Sequence, residues 1–191
     1  MCIRDRFEVL DSLRAHEATR TLPVLVVTGQ TLSDDDMERL NRGVAAILGK
    51  GLFTADETLG RIEAALARQG GLNTTAQRFV RRALVYIHTQ YAEPISRDDI
   101  ARHISISGNY LTDCFRQVMG VTPMTYLTRY RIQRARELLD TTDQTITRIA
   151  LATGFSEVSH FTRTFKREMG ASPHAYRRGR ATEATDPGRS S

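Results

Sequence analysis

Apolar positions change their spacing once along the chain, and the change divides it in two. Residues 22–28 form a short β-branched apolar run closed by Gly29, which predicts a buried strand. Ser33 then caps an acidic first turn, Asp34, Asp35 and Asp36, of a helix expected to reach Asn41. Residues 44–48 predict a second buried strand. Residues 55–68 predict a helix whose apolar face runs through Leu59, Ile62 and Leu66. Strand, helix, strand, helix at this pitch is half of a parallel α/β domain. Beyond the small polar stretch 69–75 the period becomes 3.6 and stays there.

In this second part, residues 79–91 predict an amphipathic helix. Ser96 is placed as an N-cap, with Asp99 at the capping-box position and Ile95 and Ile100 as a hydrophobic staple. Short helices and tight turns follow as far as Arg178. A polar tail from Gly179 to Ser191, holding Pro187-Gly188, is expected to be disordered.

The helical part repeats itself. Ile100-Ala101 returns as Ile149-Ala150, and Ile106-Ser107 as Phe155-Ser156, both 49 residues on. After one inserted residue the offset is 50, pairing Leu111 with Phe161, Phe115 with Phe165, Gly120 with Gly170, and Pro123 and Tyr126 with Pro173 and Tyr176. Each copy reads as helix, turn, helix. In the first, Leu111, Cys114, Phe115 and Val118 make the buried stripe, leaving Asn109, Thr112, Asp113 and Arg116 on the opposite face. In the second, Phe161, Phe165 and Met169 are the buried set, and Ser159, Thr162, Arg163 and Lys166 share the open face. Short polar side chains with an Arg, on a helix braced by another, suit hydrogen bonding to base edges in a major groove. Thr122 and Pro123, at N-cap and N1, start a connecting helix expected to run to Leu139, roughly 25 Å long. That length sets two recognition helices about one DNA turn apart without a dimer.

Charge follows the same division. Residues 1–78 carry 10 basic and 11 acidic side chains, whereas residues 79–180 carry 16 and 9. A basic half beside a near-neutral one fits a polyanion-binding module joined to something else. The 191 residues hold no apolar run long enough for a membrane span, and Cys2 and Cys114 offer neither a disulfide framework nor a CxxC pair, so a cytoplasmic location is expected. Catalysis has little support. The five histidines are scattered, no metal-ligand spacing, P-loop or nucleophile elbow occurs, and no cofactor is expected. His160, beside an apolar position, reads as a packing or phosphate-facing residue. RNA binding lacks an aromatic stacking platform.

Residues 79–178 closely resemble the AraC/XylS family of bacterial transcription regulators. The first copy carries Ser107-x-x-Tyr110-Leu111-x-x-x-Phe115-Arg116 and Gly120-x-Thr122-Pro123-x-x-Tyr126-Leu127, followed by Arg131-Ile132-x-x-Ala135-Arg136-x-Leu138-Leu139. The second carries Ile149-Ala150-x-x-x-Gly154-Phe155, Ser159-His160-Phe161-x-Arg163-x-Phe165-Lys166 and Gly170-x-Ser172-Pro173-x-x-Tyr176-Arg177. The resemblance implies double-stranded DNA as partner, with RNA polymerase a candidate second one. It implies base contacts from Asn109, Thr112, Asp113, Ser159, Thr162 and Arg163, and backbone contacts from Arg116, Lys166, Arg167 and Arg177. Asp113 departs from the basic or long polar residue common there; a carboxylate would accept from a cytosine N4 amine and repel nearby phosphates.

The first 70 residues resemble the last part of a response-regulator receiver domain, a flavodoxin-like α/β fold. Residues 7–16 match its third helix, the two strands its fourth and fifth, and Thr28 and Lys50 the hydroxyl and ammonium that contact an aspartyl phosphate. Residues 1–6 look foreign to that pattern. The phospho-accepting aspartate would lie upstream of Met1, so a piece of a longer two-component protein is expected, one that is not itself phosphorylated. The chain expected is therefore mostly α: a truncated receiver-like segment (1–70) that offers a dimerisation surface, a linker (71–78), an all-α double helix-turn-helix domain on a shared helix (79–180) and a tail (181–191). The alternative is a phosphorelay fragment of a hybrid sensor kinase with DNA binding as its output.

Overall fold

The computed structural model describes residues 3–19, 24–28, 46–49, 52, 57–60 and 75–185. Helix α1 spans Ile3–Ala15, so residues 3–6, expected to be foreign to the fold, continue its backbone. Strands β1 (Leu25–Thr28) and β2 (Ala46–Gly49) pair in parallel, Leu25 opposite Ala46 and Thr28 opposite Gly49. Residues 57–60 are helical, inside the helix expected over 55–68. The helix expected over 33–41, and Lys50, lie outside the described residues.

Seven further helices follow: α2 (Thr75–Gln90), α3 (Arg97–His103), α4 (Gly108–Met119), α5 (Pro123–Thr141), α6 (Ile146–Ala152), α7 (Val158–Met169) and α8 (Pro173–Thr185). Two boundaries correct the sequence reading. Helix α2 starts at Thr75, inside the expected linker, and Ala76 and Gln77 are buried in its first turn. Helix α8 runs on to Thr185, past the expected start of the tail; Ala181, Glu183 and Ala184 are good helix formers that carry it.

Two cores divide the helical part. The first gathers Val80, Ala83, Leu84 and Ile87 of α2, Ile100 and Ala101 of α3, Leu111, Cys114, Phe115 and Met119 of α4, and Tyr126, Leu127 and Tyr130 of α5. The second takes the rest of α5 through Ile132, Ala135 and Leu139, with Ile146, Ile149 and Ala150 of α6, Phe155, and Phe161 and Phe165 of α7. Helix α5 thus serves both cores, its faces changing allegiance between Tyr130 and Ile132. Two buried-stripe assignments shift. Val118 is half-buried while Met119 is buried, and Met169 is half-buried while Thr164 takes the inner place.

Polar links fix how the units meet. Arg131 of α5 donates through Nε to the Tyr91 carbonyl at 2.7 Å and through Nη2 to the Glu93 carbonyl at 2.7 Å, both in the loop before α3. Its guanidinium also lies 6.0 Å from the Phe155 ring centroid and against Gly154. Gly154 has φ +84°, and an added Cβ would stand 2.7 Å from the Tyr91 carbonyl oxygen and 2.9 Å from the Arg131 guanidinium. Only glycine fits that close crossing. The N-terminal part touches the same frame: Leu52 is buried in the first core, and Arg129 of α5 pairs with Glu57 at 3.1 Å and donates to the Leu52 carbonyl at 3.3 Å.

Candidate nucleic-acid interface

Each unit presents its second helix outward by the same construction. In the first, Ser96 accepts from the Asp99 amide and Asp99 accepts from the Ser96 amide, the capping box read from the sequence. Ser105, at φ 62°, makes the left-handed turn, and the Ser107 hydroxyl accepts the Tyr110 amide at 3.2 Å to start α4. Gly120, at φ 62°, ends α4, its amide donating to the Arg116 carbonyl. In the second unit Thr145 caps α6 through the Arg148 amide, Gly154 makes the turn, and Gly170 ends α7 at φ 78°. Glu157, at the N-cap of α7, makes no capping bond with its side chain.

On α4 the structure leaves Asn109, Asp113 and Arg116 exposed together. Thr112 is half-buried, and its hydroxyl donates to the Gly108 carbonyl at 3.0 Å, which leaves its methyl group as the apolar contact it can offer. Asn109 is not free: Arg97 of α3 donates through Nη1 to its Oδ1 at 3.2 Å. Arg97 was not among the residues singled out from the sequence. Its only signal there was Gly108, a poor helix former placed where α4 starts.

On α7 the exposed set is Ser159, Arg163 and Lys166, with Thr162 half-buried. Ser159 donates to Glu157 Oε2 at 3.3 Å. His160 is exposed and meets the edge of Phe155 at 5.6 Å. Arg167 is engaged by its neighbour, Nε and Nη2 both 3.0 Å from Glu168 Oε1, and the other oxygen of Glu168 reaches Arg129 at 3.6 Å. Arg177 is half-buried on α8, and its Nε and Nη2 are enclosed without a hydrogen-bond partner among the described residues. The expected backbone cations therefore separate into three exposed ones, Arg116, Lys166 and the Glu168-paired Arg167, and one held against the protein, Arg177.

Helix α5, 19 residues and about 28 Å long, spans the two units. The length exceeds the roughly 25 Å expected because the helix continues past Leu139 to Thr141. Among the described residues, no three His, Cys, Asp or Glu side chains gather as metal ligands, and no helix is long and apolar enough to cross a membrane.

A shared helix carrying two helix-turn-helix units, each with an exposed polar helix, defines a double helix-turn-helix domain. Comparison with known proteins agrees. Residues 100–179 match the family model described as a helix-turn-helix domain. The melibiose operon regulatory protein of Escherichia coli (strain K12) is 38% identical over 103 residues, which are 54% of this chain and 34% of that protein. A transcriptional regulator from Chromobacterium violaceum, described as containing an AraC-type DNA-binding domain, superposes with a TM-score of 0.53 at 33% identity. The match covers 61% of this chain and all of that one. The C-terminal domain of AraT, a response regulator from Geobacillus stearothermophilus, superposes with a TM-score of 0.53 at 32% identity, over 56% of this chain and 88% of that one. The chain carries an AraC-type helix-turn-helix DNA-binding domain, and it spans between a third and two fifths of the length of the curated relatives it matches.

Proposed function

We propose that this chain regulates transcription by binding a specific DNA sequence as a monomer, α4 and α7 entering successive major grooves on one face of the duplex. The observation that carries this is the pair of exposed polar faces held on one rigid helix. On α7, Arg163 is the residue for a bidentate contact to guanine O6 and N7, with Ser159 and Thr162 beside it; Lys166 is the phosphate contact. On α4, Asp113 accepts from a cytosine N4 amine, the Thr112 methyl meets a thymine methyl, Asn109 reads a base edge and Arg116 meets phosphate. Arg167, exposed and paired with Glu168, and Arg177, half-buried, contribute positive potential near the backbone. Footprinting of the whole chain on a selected site tests the reading. Protection of two successive major grooves at one chain per site is expected; protection of one groove, or binding only as a dimer, overturns it.

The receiver-like segment supports a finer reading, in which the chain is the output end of a two-component protein. The parallel pairing of β1 with β2 and the place of Thr28 at the end of β1 suit the last strands of such a domain, and AraT is described as a response regulator. In that reading Thr28 and Lys50 belong to the phosphate-sensing switch, the segment is a surface through which two chains, each holding its own site, would pair, and RNA polymerase is the partner on the promoter. The hybrid sensor kinase with DNA binding as output remains the alternative form of the same idea.

A further inference from the structure

An asparagine that reads adenine offers its oxygen to the N6 amine and its own amine to N7. In Asn109 that oxygen has a prior partner. Arg97 has only donors, so the amide edge it meets at 3.2 Å must be the Oδ1 side. The guanidinium is itself aimed, because Asp98 Oδ1 accepts from Arg97 Nε at 3.0 Å. The arrangement is built over Gly108, the first residue of α4. A Cβ there would stand 2.3 Å from Asp98 Oδ1 and 2.7 Å from Arg97 Nε. The second unit has no counterpart: the repeat places Ile146, Thr147, Val158 and Ser159 where the first has Arg97, Asp98, Gly108 and Asn109.

We infer that Arg97 is a positioning residue that sets which base Asn109 reads, turning its amide into a donor and selecting a keto base (guanine O6 and N7, or thymine O4) over adenine. One lone pair of Oδ1 is taken, and the positive guanidinium beside it disfavours approach of the adenine N6 amine, itself a donor. The Nδ2 amine is left as the donor for the acceptors that guanine and thymine present in the major groove. Arg97 and Asp98 are both largely exposed, with side-chain exposures of 43% and 64%, so their ion pair adds little to folding stability. Its effect is on the polarity of the amide edge.

The inference rests on the DNA-binding reading above, and the test separates the two. The full chain is taken through selection on randomised duplexes alongside Arg97→Ala, Arg97→Lys and Asn109→Ala, each checked for helicity and thermal unfolding. The position whose preference disappears in Asn109→Ala is the one Asn109 reads. There the unaltered chain should prefer guanine or thymine over adenine by about tenfold. Arg97→Ala should bring adenine within about threefold while the other positions keep their preferences, and Arg97→Lys should restore part of the discrimination. Arg97→Ala that lowers affinity equally on all sequences with a shallower salt slope would make Arg97 a phosphate contact and overturn the inference. Adenine preferred at that position in the unaltered chain, or no position altered by Asn109→Ala, overturns it as well. Failure to select any sequence overturns the DNA-binding reading together with it.

Discussion

The two helix-turn-helix units share a sequence pattern and an outline but not a means of holding it. The first builds a broad core in which polar groups are stacked and bonded. His88 lies parallel to Tyr130 with ring centroids 4.3 Å apart and is 2.9 Å from the Tyr126 hydroxyl, and both helices of the unit begin on serine caps. The second relies on aromatic edges. Phe155 meets Phe161 at 5.2 Å, Phe161 meets Phe165 at 5.6 Å, and Phe165 meets Tyr176 at 5.7 Å, while α7 starts without a side-chain cap. Burying each of those phenyl rings is worth roughly 2–3 kcal/mol, enough to offset an absent cap worth about 1 kcal/mol. The difference teaches that the repeat specifies where apolar side chains and turns fall, and leaves each copy free to stabilise them differently.

Acid should separate the units most. Burial, and then the charge of Arg134, push His88 down from its ordinary 6.5 to about 4. Between those values the unfolded chain binds the proton more readily than the folded one. Stability is therefore full above about pH 6.5, falls as pH drops through the window, and levels off below 4. The shift corresponds to about 3 kcal/mol at most, all in the first unit. Denaturant unfolding of the chain across this range should show the step, and His88→Phe should remove it while keeping the stack. An equal step in the variant would mean that other groups cause it.

Next in size is the turn within each unit. Gly154→Ala should cost about 2 kcal/mol, since alanine must take a left-handed backbone and press on Tyr91 and Arg131. The matching position in the first unit already holds a non-glycine residue at φ 62°, so Ser105→Gly should change stability by no more than about 0.5 kcal/mol. Thermal unfolding of both variants measures the asymmetry; equal costs would show that the turns are alike after all. The smallest effect sharpens the contrast in caps. Glu157→Ser should stabilise the second unit by about 1 kcal/mol by supplying the bond that Ser107 makes in the first. A destabilised variant would show that the Ser159–Glu157 bond matters more than the missing cap.

Much of this was legible beforehand where the cause is local. The capping box at Ser96 and the proline start of α5 are decided by neighbours in sequence, and the structure has both. The outward faces of α4 and α7 followed from the 3.6 period. What could not be read was set by distant partners. Arg131 finds its two carbonyls 40 and 38 positions back, and no local pattern announces that. Arg97 reaches a residue 12 positions on, across a turn whose shape the sequence only hinted at. The early start of α2 was hidden because Gln77, polar by type, sits on the buried face.

Helix α5 also works as a gauge. It is gripped by one core through Tyr126, Leu127 and Tyr130 and by the other through Ile132, Ala135 and Leu139, and Arg131 ties its middle back to the loop before α3. Packing on both sides and a tie at the middle leave such a rod little room to bend or turn. A single base pair added between the two half-sites turns the far groove by about 34° and moves it about 3.4 Å, and a helix locked along its length has no joint to follow. A second copy on a flexible tether would forgive that insertion. Under the binding proposed above, with one helix in each of two grooves, the frame would read spacing as strictly as bases, and the distance between half-sites would become part of the recognised word.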